Sequence, residues 1–79
     1  MRADIITQAV PHADPDFLRI MGQLSDPPPG IYEKVMRLLP KLHELFLQKR
    51  QASEQGDIQA VAKIIDQETE LMRQAMGVT

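Results

Sequence analysis

Ala52-Ser53-Glu54-Gln55-Gly56-Asp57-Ile58-Gln59-Ala60-Val61 is the stretch on which the fold turns. Gly56 suits the left-handed backbone position that closes a helix, and Asp57 suits the N-cap of the next one. Lys49 and Arg50 stand just upstream, where positive charge complements the C-terminal end of a helix dipole. A connection this short forces the flanking helices to be antiparallel neighbours. The spacing therefore predicts a helical hairpin with helices over 31–54 and 58–76.

Apolar periodicity extends the reading in both directions. Ile31, Val35, Leu38, Leu42, Leu45 and Ala52 follow alternating steps of four and three, with Lys49 filling the gap, and this is a heptad seam. Pro40 interrupts the helical hydrogen bonding and predicts a kink, because the apolar pattern continues in phase beyond it. In the second helix Ile58, Val61, Ile65, Met72 and Ala75 hold heptad phase, with Gly77 at the end. The centre of the two seams is then Leu42, Leu45, Val61 and Ile65. Glu68 occupies a seam position, either as an edge open to water or as a polar residue that selects register and partner.

Prolines set the rest apart. Pro11, Pro15, Pro27, Pro28 and Pro29 all precede residue 30. Residues 1–13 are read as an N-terminal arm with at most a short helical turn, and 14–79 as a single helical domain. Asp14 as N-cap and Pro15 at the first helical position predict a short helix over 15–25, with Phe17, Leu18, Ile20, Met21 and Leu24 as its apolar face. Residues 26–30 form a stiff proline-rich connector, since the residue before each proline is pushed out of the helical region. The fold class is all-α: two long helices and a short N-terminal one.

At 79 residues the chain buries only about 60–65% of the surface its unfolded form exposes, less than larger domains do, and such domains usually need a disulfide, a metal or self-association. Without cysteine there is no disulfide and no thiolate ligand. His12 and His43 have no second ligand at i+3 or i+4, so neither a metal nor another cofactor is expected. A net charge of −2 and a pI near 5.5 speak against nucleic acid. No apolar run approaches a membrane span, and the start lacks the apolar core of a signal peptide, so a cytoplasmic protein is expected. No nucleophile stands with a base, and an enzyme is not expected. His43 flanks the seam, and the register about Gly56 places it near Thr69 and Glu70.

The informative feature is an apolar surplus. Tyr32, Met36, Leu39 and Phe46 form a second stripe on the first long helix, and Ile64 and Leu71 lie beside the seam of the second. A two-helix hairpin uses one seam per helix, so these residues, with Met72, are the expected interface with a partner. A second copy of the chain, forming a dimer, is the leading expectation, and a foreign protein is the alternative. The function predicted is a small interaction module, an adaptor or regulator.

Leu42-His-Glu-Leu-Phe-Leu-Gln-Lys-Arg-Gln-Ala-Ser-Glu-Gln-Gly-Asp57, followed by Ile64-Ile-Asp-Gln-Glu-Thr-Glu-Leu-Met72, resembles the hairpins of flagellar and type III export chaperones. The resemblance lies in the helix, the Gly-Asp turn and the helix with an acidic, glutamine-rich face. It implies a chaperone-like or assembly-subunit role, and the proline-rich first third departs from it.

Overall fold

In a computed structural model that describes residues 1–75 and Gly77, the chain is all-helical, with four helices packed together. They are α1 (Ala3–Ala9), α2 (Pro15–Gly22), α3 (Tyr32–Glu54) and α4 (Ile58–Ala75). None of them is long and apolar enough to cross a membrane. The predicted extension of the last helix to Met76 lies outside the described residues.

The connection between α3 and α4 follows from its residues. Gly56 has φ of +74°, the Gly56 N–H donates to Ser53 O at 3.1 Å, and the Asp57 N–H donates to Ala52 O at 2.9 Å. This pair of bonds satisfies two carbonyls that the end of α3 would otherwise leave open. Asp57 Oδ1 then accepts from the Ala60 N–H at 3.1 Å and caps α4. Lys49 reaches Glu68, Leu45 and Leu71 line one hollow, and Leu38 and Ala75 line another, so contacts run in opposite order along the two helices. Pro40 lies inside α3, and the helix continues on both sides of the missing donor.

Residues 1–13 depart from the expected arm. Residues 3–9 form a two-turn helix with Ile5 and Ile6 buried, and Val10 is buried just beyond it. Ile5, Ile6, Ala9 and Val10 share one face at helical spacing, which is reason enough for a helix once a partner surface is present. The partner surface is α3. Ile5, Ile6 and Val10 join Phe17 and Met21 of α2 and Leu39 and Leu42 of α3 in one apolar cluster.

α2 begins as predicted, with Asp14 Oδ1 accepting from the Asp16 N–H at 2.9 Å and Pro15 at the first position. It stops at Gly22, short of the predicted 25, because Gln23 and Leu24 only close the last turn through bonds to Ile20 and Met21 carbonyls. A second, smaller cluster of Leu45, Ala52 and Ile64 joins α3 to α4, with Leu71 touching both clusters. α3 is thus the central helix, packed on one face by α4 and on another by α1 and α2.

Candidate functional site

The two long helices treat their apolar surplus differently. On α3 the second stripe is occupied by the chain itself. Leu39 has no exposed surface, and Tyr32, Met36 and Phe46 are half-buried against the α1–α2 cluster. The Phe17 ring meets Phe46 edge-on, with centroids 5.5 Å apart. The α3 residues expected to face a partner are therefore taken up by the N-terminal helices. The expectation of an arm hid the helix that reaches them.

On α4 the phase of the inward face also differs. Ile64 and Ala75 are buried, and Ala60, Val61, Glu68 and Leu71 are half-buried, so this set faces α3. Ile65, expected at the centre of the seam, is 47% exposed. The short turn brings the end of α3 close to the start of α4, and the small residues Ala52 and Ala60 pack together there. Ile64 and Leu71 become core, and of the expected interface only Met72, 41% exposed, remains outside.

What is left on the surface of α4 is an ordered array. Ile58 is 80% exposed, and it stands two helical turns from Ile65, which stands two turns from Met72. Exposed Ala62 and Thr69 fall between them at steps of four and three. Asp66 and Arg73 border this array, one heptad apart and opposite in charge.

The polar groups that sequence reasoning singled out are engaged in joining helices. Lys49 Nζ donates to Glu68 Oε1 at 2.8 Å, so the two polar residues in the predicted seams pair with each other across α3 and α4. Their matching positions in the two heptad series were the available signal. His43, expected near Thr69 and Glu70, makes its contacts with the start of α2. Its Nε2 accepts a hydrogen bond from the Asp14 N–H at 3.0 Å, and its ring meets Phe17 edge-on at 4.9 Å. Arg50 completes the junction, with Nη2 at 2.9 Å from Asp14 Oδ2 and Nη1 at 3.6 Å from Asp16 Oδ2. The hydrogen bond from Arg50 holds the Asp14 carboxyl below its ordinary range, against the opposing effect of burial, with the Asp16 N–H assisting. Lys49 and Arg50 also lie over the Phe46 ring, at 5.9 and 5.7 Å from its centroid.

Among the described residues no group of three or more His, Asp or Glu side chains is gathered as a metal site. No family model, curated protein or solved structure matches the chain.

Proposed function

We propose that the protein is a small, non-enzymatic interaction module that pairs through the outer face of α4, and that its first partner there is a second copy of the chain. One observation carries this reading: Ile58, Ile65 and Met72 stand exposed at seven-residue intervals on one face of a helix whose other apolar half is already packed. A seven-residue repeat suits another helix better than a flat surface, because it keeps the apolar side chains on one face of the helix. The Asp66 and Arg73 side chains favour a like partner. In two antiparallel copies whose axis passes between residues 69 and 70, the acid of each can be set against the base of the other, twice in one symmetric interface, with Ile65 and Met72 inside the contact and Ile58 beyond its end. Burying the stripe would also supplement a core that is small in a chain of this length. The histidine, arginine and lysine nearest the junctions already serve as helix-to-helix contacts, which fits a binding role better than a catalytic one.

Sedimentation equilibrium across the micromolar range tests the reading. The expected mass approaches twice the 8.9 kDa of the chain at the upper concentrations. Ile65→Gln should abolish the dimer while leaving the helical circular dichroism of the chain intact. A single 8.9 kDa species throughout, or an Ile65→Gln variant that dimerises like the parent, would overturn the assignment.

A further inference from the structure

We infer that the docking of the N-terminal helices on α3 depends on the protonation of His43. The inference rests on the chemistry of one contact. The Asp14 backbone N–H can donate to Nε2 only while that nitrogen is unprotonated, so the observed 3.0 Å bond requires neutral imidazole with its proton on Nδ1. Protonation turns the acceptor into a donor. Two N–H groups then point at each other at the N-terminus of α2, the positive end of its dipole.

The groups around His43 decide how that change is felt. On α2 and its cap, Asp14 and Asp16 supply carboxylates and Phe17 supplies an aromatic edge. On α3, Arg50 already engages both carboxylates and adds a positive charge to the junction. On the α1 side, Asp4 pairs with Arg2, which also pairs with Asp26. On α4, Glu68 is committed to Lys49. An imidazolium therefore arrives at a junction whose anions are paired, and it competes with Arg50 for them. The side-chain contacts that tie the start of α2 to α3 are the ones disturbed, and Leu39, Met36 and Phe46 lie beneath the helices they hold. Acid thus favours release of α1 and α2 and exposure of the second stripe of α3. This device stands independently of any pairing through α4.

Thermal melts at pH 7.5 and 5.5, at one low protein concentration, test the inference with three chains: the parent, His43→Gln and His12→Gln. Glutamine places a non-titrating oxygen near the position of Nε2 and can keep the bond. His12 is exposed and controls for histidine titration in general. Helical circular dichroism at pH 7.5 first establishes that each variant folds. The parent and His12→Gln should lose about 4–8 °C in Tm on acidification, the shift associated with losing roughly one hydrogen bond in a domain this small. Their binding of a hydrophobic dye should rise over the same interval. His43→Gln should show neither change. In the parent, the ¹⁵N resonance of His43 Nε2 at pH 7.5 should be that of an unprotonated nitrogen. A parent with no loss, a His43→Gln variant that loses as much as the parent, or an Nε2 that carries the proton at pH 7.5 would each overturn the proposal.

Discussion

α3 and α4 each carry two apolar faces, and the described residues cover both faces of one but a single face of the other. From a distance the two helices have the same sequence signature, a heptad seam with a parallel apolar stripe beside it. Their surroundings separate them. α3 lies between α4 and the pair α1–α2, which bury Leu39 and half-bury Met36, Tyr32 and Phe46. α4 is the last helix described, and only α3 packs extensively along it. A doubled stripe is therefore a statement about how many neighbours a helix needs, without saying whether they come from the same chain.

The largest expected effect tests this contrast directly. Leu39→Ala and Ile64→Ala should each cost about 2–5 kcal/mol, because both remove most of a buried side chain from a packed site. Ile65→Ala, one position from Ile64 and identical to it in chemistry, should change monomer stability by less than about 1 kcal/mol, as partly exposed positions do. Urea denaturation at a concentration where the chain is monomeric distinguishes them. Equal losses at 64 and 65 would mean that both apolar faces of α4 are core.

Much of the architecture was legible because it depends on local chemistry. Asp14-Pro15, Gly56 and Asp57 act through the backbone groups next to them, and all of them sit where their residue types required. α1 was not legible from its own residues alone. Seven residues do not make a stable isolated helix, and Ile5 and Ile6 become helical by packing on α3. The phase of α4 was hidden for a different reason. Two apolar series run along it with nearly equal claims, and the series that faces α3 is the one that sets Ala60 in the cluster with Ala52 beside the turn. His43 was misplaced for the same reason as α1, since its partner, the Asp14 N–H, belongs to the N-terminal segment.

The turn between α3 and α4 is common to both sides of the comparison, and its expected effects are intermediate. Asp57→Ala removes the acceptor for the Ala60 N–H and should cost about 0.5–2 kcal/mol. Gly56 has open space around it, so a side chain there meets no neighbour and the penalty is conformational. Gly56→Ala should cost roughly 1–2 kcal/mol for the left-handed backbone, and Gly56→Val more. Thermal melts of the three variants should rank in that way, and melts that overlay the parent would show that the turn does not hold the two helices.

The smallest effect concerns the junction that holds the N-terminal helices to α3. Asp14 is bound to Arg50 at 2.9 Å, and its pKa is lowered from the ordinary 3.8 chiefly by that hydrogen bond. A carboxyl with a depressed folded-state pKa stabilises the fold above its ordinary value, and the contribution is lost as pH falls through the lowered one. The sign is therefore fixed: acid below about pH 4 should weaken the parent through this group. Asp14→Asn isolates the effect, because asparagine caps a helix about as well as aspartate but cannot take the charge of Arg50. Between pH 5 and pH 2 the Tm of the variant should fall less steeply than that of the parent. The difference should shrink in high salt, since Arg50 is 41% exposed and the pair is open to screening. Parallel acid limbs at low salt would show that the ion pair contributes nothing measurable. The hold on α1 and α2 would then rest on the His43 hydrogen bond and on the apolar contacts of Phe17, Ile5 and Ile6 with α3.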